Sequence, residues 1–230
     1  MPTRRIAWPQ AWRVIASRYP PIGLFERLTP DPAVREALIA LEQATNPRVR
    51  DEIGEIALVP PEDRVTGPGA SFVMASFTHL NPLGSRFSDG TFGVYYAASD
   101  LETAVAETVF HFEGFARDAG DPARMEDMRV LVGEVAEDFE DVAALAADEQ
   151  AHILAPDDYA AGRAFGRAQR EAGAMGVTYP SVRRAAGACI GAFRPRAVGL
   201  PHQERHLKYR WNGERADRYF DYAGETWIDL

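Results

Sequence analysis

Residues 85–111, SRFSDGTFGVYYAASDLETAVAETVFH, constrain the fold more than any other stretch of the chain. Thr91 to Ala98 is rich in aromatic and β-branched residues, which suit a strand. Ser99 or Asp100 can then cap a helix that buries Leu101, Ala104, Val105, Thr108 and Val109. Ahead of the strand, Ser85 to Gly90 reads as a glycine-bearing turn carrying Arg86. Arg86 and Glu107, 21 residues apart, are therefore joined by one strand and the start of one helix.

Elsewhere the pattern is mixed. Ala11 to Ala16 reads as a short strand, ended by Tyr19-Pro20-Pro21 because proline lacks a donor and restricts its predecessor. Asp31-Pro32 opens a helix with Val34, Leu38 and Leu41 at helical spacing, stopped at Thr45-Asn46-Pro47. Val49 to Ile56 continues as a second short helix. Ala70 to His79 is apolar enough for a strand or a buried helix, and periodicity does not choose between them. Strands are expected over Arg129 to Val135, Gly176 to Pro180 and Cys189 to Phe193. Helical pieces are expected over Val142 to Glu149 and Tyr159 to Ala172, and edge strands from Pro201 to Leu230. This irregular alternation predicts an α+β fold rather than a doubly wound sheet. With 230 residues and a 46% hydrophobic fraction, one domain over residues 1–230 is expected, with a core at about 11–195 and a C-terminal extension at 196–230.

The formal net charge of −9 argues against non-specific nucleic-acid binding, which needs Lys and Arg to neutralise phosphates. One cleft can still be basic. Cys189 is the single cysteine, so an intramolecular disulfide is excluded and a reducing, cytoplasmic setting fits. The first residues lack a long apolar core, so no signal peptide is expected. No run approaches a membrane span.

Five side chains carry candidate chemistry. Arg86, beside Ser85, Ser88 and Gly90, either grips a phosphate by bidentate contacts or pairs with a local aspartate such as Asp89. Tyr95 and Tyr96 are adjacent on a strand and must face opposite sides, so one can pack while the other offers a ring to a ligand. Glu107 stands among apolar residues, where an acid needs a partner. It either forms a structural salt bridge or binds a ribose hydroxyl and stabilises a cationic ribose. Ser181 in YPSVR is a turn or cap residue in the bland reading. His202 and His206 have the spacing of a helical metal pair, but no H-E-x-x-H or C-x-x-C accompanies them, so no metal is expected.

The ordered set of Arg86 in SRFSDG, Glu107 in ETAVAET and Ser181 in YPSVR resembles the RES-domain family, named for an arginine, a glutamate and a serine. Trp12-Arg13-Val14 resembles the family's first strand, which carries another arginine, and the match runs in order from about residue 11 to 195. The resemblance implies an ADP-ribosyltransferase-like α+β domain with a central split sheet flanked by helices. It implies a toxin of a toxin–antitoxin pair that uses NAD⁺ as substrate and cleaves its nicotinamide–ribose bond by phosphorolysis or hydrolysis. Transfer of ADP-ribose to a protein is the alternative, and a non-catalytic binding protein is the rival from another class. By resemblance, Arg13 and Arg86 hold the diphosphate, Tyr95 in preference to Tyr96 contacts nicotinamide or its ribose, Glu107 acts at the ribose, and Ser181 orients substrate. The implied partner is a cognate antitoxin of DNA-binding type that blocks the active site. Phe87-Ser88 stands where shorter members carry tryptophan-asparagine, and about residues 26–78 form a long insert between the two arginines. The acceptor therefore stays open between phosphate, water and a protein.

Overall fold

The structure, a computed structural model, describes residues 1–18 and 54–230, together with Val34 and Ala37, which are helical. The helices expected over 31–46 and 49–56 otherwise lie outside the described residues, apart from the end of the second, where Gly54 and Glu55 are not helical and Ile56 begins a 3₁₀ turn (Ile56–Leu58). The fold is α+β, a large sheet flanked by helices. Its strands are β1 (Thr3–Ala16), β2 (Tyr95–Ala98), β3 (Arg124–Asp141), β4 (Gly176–Pro180), β5 (Ala188–Ala192), β6 (His202–Trp211), β7 (Ala216–Asp221) and β8 (Thr226–Asp229). The helices are α1 (Ala70–Thr78), α2 (Leu101–Asp118), α3 (Ala147–Ile153) and α4 (Ala160–Glu171).

The long strand β3 organises the sheet. One edge pairs antiparallel with β1 from Thr3↔Glu140 to Ala16↔Met128. The other edge forks: its first half pairs with β6, and Glu140 and Asp141 pair parallel with β4. From β4 the sheet continues through β5 to β2, and β2 meets β1 again at Trp12↔Ala98. Strand β1 begins earlier than its apolar run suggests. Its register shifts between Trp8 and Ala11, around Pro9, which a ladder accommodates only at such an irregularity.

Each face of the sheet has its own core. Val14, Ala98, Val130, Val177, Tyr179 and Cys189 point to one side, where α2 adds Ala104, Val105, Phe112 and Ala116. Ala11, Tyr95, Ala97, Val135 and Ile190 point to the other, where α1 adds Ala70, Val73, Met74 and Phe77. Residues 70–78 are thus a buried helix rather than a strand. The strand expected over 91–98 forms only from Tyr95. Gly93 lies so close to α1 that a Cβ there would sit 2.1 Å from the Ser76 carbonyl oxygen, so the chain packs on the helix before it pairs. The tail forms β6, β7 and β8, of which β8 is the edge. Arg210-Trp211-Asn212 is not an edge surface: β6 lies between β3 and β7, and buried Trp211 donates its indole N–H to Asp121 O at 3.0 Å.

Helix α4 lies on the arginine turn through two glycines one helical turn apart. A Cβ at Gly162 would sit 2.6 Å from Arg86 O, and one at Gly166 2.1 Å from Phe87 O. Arg163 completes the contact by donating to Ser85 O (3.1 Å) and Leu83 O (2.7 Å). Gly166→Ala forces helix and turn apart and is expected to cost about 1–3 kcal/mol of stability, as overpacking does. Urea unfolding checks this, and an unchanged midpoint would show that the turn yields freely.

Candidate functional site

Asp100 starts the site. Its carboxylate caps α2, accepting from Thr103 N at 2.8 Å and from the Thr103 hydroxyl. Arg184 then reaches both Asp100 (3.3 Å) and Thr103 (3.2 Å), which pins the 181–187 turn to the first turn of the helix. One helical turn on from Thr103 comes Glu107. The pinned turn brings Ser181 against it across 74 residues of chain: the serine hydroxyl donates to Glu107 Oε1 at 2.7 Å. Val182 N donates to the same oxygen at 3.2 Å, and the Cys189 thiol lies 3.9 Å away. Burial and the nearby Glu107 charge push the Cys189 thiol up, so it stays a protonated donor rather than a nucleophile.

The Glu107 carboxylate is therefore held by hydrogen-bond donors on one oxygen, and no ion pair joins it among the described residues. Its other oxygen, Oε2, keeps its lone pairs for a ligand. Ser181 has spent its own capacity. Its proton goes to Glu107, and it accepts from Arg183 N (3.2 Å) and Arg184 N (3.0 Å). The serine thus holds the carboxylate in place.

Arg86 is buried on the turn before β2. Its Nη1 donates to Ala155 O at 2.9 Å, and its guanidinium lies over the Tyr159 ring, 4.5 Å from the centroid. Asp89, the bland partner, is taken by Arg167 instead. The charges of Arg86 and Glu107 both act on the Tyr179 hydroxyl and on His111, so the two side chains belong to one neighbourhood. Tyr96 holds the arginine turn in shape. Its hydroxyl meets Ser85 Oγ at 2.8 Å and accepts from Phe87 N at 3.1 Å. Burial pushes that hydroxyl up to about 12, so it stays neutral.

Strand alternation separates the remaining two candidates from this cluster. Tyr95 points to the other face of the sheet and is buried, with the Arg13 guanidinium 4.6 Å above its ring. Arg13 donates to Tyr96 O (2.8 Å) and Ser76 Oγ (3.1 Å), and burial lowers its pKa. Tyr95, the tyrosine the resemblance preferred, thus lies on the sheet face away from Glu107 and Ser181, and Arg13 is not brought into contact with Arg86, Glu107 or Ser181 among the described contacts. His202 and His206 lie on a strand, where four residues span about 13 Å, so the helical metal spacing does not apply.

Three site residues escape a reading by motif. His111 follows Glu107 by one helical turn, a signal that the helix assignment alone provides. Tyr159 and Arg183 have none: they enter through loops that tertiary packing assembles. The Arg183 guanidinium lies 3.2 Å from the Phe110 ring centroid, bonds Pro156 O and stands 3.7 Å from Asp157. Chemically, this neighbourhood holds one half-free carboxylate, a fixed guanidinium and an aromatic ring beside it. This suits a ligand that carries both an anion and hydroxyl groups.

Comparison with known proteins follows that geometry. A family model described as the RES domain matches residues 61–212. The uncharacterized protein y4oC of Sinorhizobium fredii (strain NBRC 101917 / NGR234) is 31% identical over 215 residues, 93% of this chain and 88% of that protein. Among solved structures, the M. tuberculosis MbcT–MbcA toxin–antitoxin complex aligns at 12% identity with a TM-score of 0.44, over 92% of this chain and 87% of that one.

Proposed function

This chain belongs to the RES-domain family, and on that premise we propose that it is the toxin of a toxin–antitoxin pair that cleaves the nicotinamide–ribose bond of NAD⁺. The observation that supports the reading most is the state of Glu107. One oxygen is locked by Ser181 and Val182, and no hydrogen bond or ion pair holds the other among the described residues.

Nicotinamide leaves a cationic ring as a neutral base, so cleavage needs little acid. It needs a ribosyl cation stabilised and a diphosphate held still. Glu107 Oε2 supplies a fixed negative charge at the ribose, already paid for by the fold because the donors on Oε1 prevent the carboxylate from turning away. Arg86 supplies the anchor for the diphosphate, stiffened by Tyr159 and by the Ala155 carbonyl. Tyr96 keeps the Arg86 turn in register with β2, and Arg13 braces the same strand from behind through the Tyr96 carbonyl. The proposed setting is the cytoplasm, with a cognate antitoxin as partner.

The test is to incubate purified protein with NAD⁺, with and without phosphate or cell extract, and to follow nicotinamide by chromatography. Release in phosphate-free buffer marks hydrolysis, release that needs phosphate marks phosphorolysis, and labelling of an extract protein marks ADP-ribosyl transfer. No nicotinamide under any condition would refute the reading. Arg86→Lys keeps the charge but loses the bidentate fork and is expected to weaken apparent NAD⁺ affinity about tenfold or more. An unchanged affinity, read by thermal shift against NAD⁺ concentration, would remove Arg86 from the diphosphate site.

A further inference from the structure

The hydrogen-bond capacities of the side chains in the neighbourhood of Glu107 can be followed one by one. Ser181 has no lone pair or proton left. The Tyr96 hydroxyl is engaged on both sides. Tyr179 and Cys189 are kept protonated by burial. Arg86 and Arg183 are donors only. Glu107 Oε1 is occupied, and Oε2 is committed to the ribose in the reading above. The group left with an acceptor nitrogen is His111, which solvent reaches and which follows Glu107 by one helical turn, about 5–6 Å between Cβ atoms.

We propose that His111 is a further catalytic residue, the base that takes the proton from the water attacking the ribosyl C1′. This inference rests on the NAD⁺-cleaving reading of the site. In the step, the glycosidic C1′–N bond breaks and its electron pair leaves with nicotinamide, which departs neutral. A water lone pair forms the new C1′–O bond, and the water proton passes to an imidazole nitrogen. The resulting imidazolium returns the proton to solvent.

The charges facing His111 agree with this role. Glu107 on its own helix favours the protonated ring, while Arg183 from the β4–β5 turn and Arg86 from the turn before β2 oppose it. Desolvation by the protein packed around the ring is the largest influence, and the net effect holds His111 below the ordinary imidazole value. The ring is therefore neutral and able to accept at pH 7, and the imidazolium formed in the step is partly balanced by Glu107.

The experiment compares wild type, His111→Gln and His111→Ala in phosphate-free buffer, measuring nicotinamide release from pH 5 to 9. Wild-type kcat is expected to fall on the acid side, with a limb lying below the ordinary imidazole value, as the ring takes up a proton. His111→Gln is expected to lose about a hundredfold in kcat, keep KM within about twofold, and lose that acid limb. Added imidazole is expected to restore His111→Ala in proportion to its concentration. A glutamine variant that keeps the wild-type rate, or one slowed tenfold with the acid limb intact and no imidazole rescue, would overturn the assignment while leaving NAD⁺ cleavage standing. Wild-type release that appears only when phosphate or cell extract is added would overturn the assignment alone, and no release under any of these conditions would overturn both.

Discussion

Glu107→Gln is expected to lower nicotinamide release by at least about a hundredfold, the loss typical of one preorganised electrostatic group. Glutamine keeps the shape of the side chain, and its carbonyl oxygen can still accept from Ser181 and Val182 N. The 181–187 turn should therefore stay in place, held also by Arg184 on Asp100 and Thr103. What vanishes is the negative charge opposite the developing cation. Chromatography of nicotinamide gives the rate and a thermal melt checks the fold. A variant with wild-type turnover would make Glu107 a structural acid. One that melts far below wild type would show instead that its charge serves the fold.

Expression of this chain alone is expected to arrest growth, and expression of the Glu107→Gln form to leave growth intact. An enzyme that drains NAD⁺ or modifies a cell protein harms its own cell unless a partner blocks the cleft. The net charge of −9 does not prevent such docking, because net charge says little about one local site, and Arg86 and Arg183 both act on His111 beside Glu107. A segment that offers a carboxylate to Arg86 would make charge-assisted hydrogen bonds there. Growth curves after induction, with soluble protein measured in parallel, test this. Robust growth with abundant, soluble and catalytically active wild-type protein would show that the chain is no toxin.

Local order was legible wherever neighbouring residues decide it. The Asp100 cap, the helix behind it and the strand before it follow from side-chain chemistry within about twenty residues, and the structure has all three. The placement of Arg86 on a glycine-bearing turn, and of Glu107 on the helix, follows from the same stretch. That Tyr95 and Tyr96 face opposite ways is likewise a property of any strand. Which of them meets the cleft is not. That depends on which face of β2 receives α2 and which receives α1, and only the packed sheet decides it.

The same division separates the site's members from its function as a unit. Sequence patterning put Glu107 on a helix and Ser181 after a strand, but no local rule joins them across 74 residues. Three long-range contacts do so: Arg184 to the helix cap, Ser181 to the carboxylate, and the β4–β5 pairing that delivers both. The Gly162–Gly166 pair is visible as letters, yet its meaning comes only from the carbonyls of Arg86 and Phe87 that lie where its Cβ atoms would be. Chain-local chemistry thus determined the α+β class, the capped helix and the residue types that carry candidate chemistry. Tertiary packing decided which lone pairs are already spent, Ser181 and one oxygen of Glu107 among them, because hydrogen-bond capacity is counted only once every neighbour is in place.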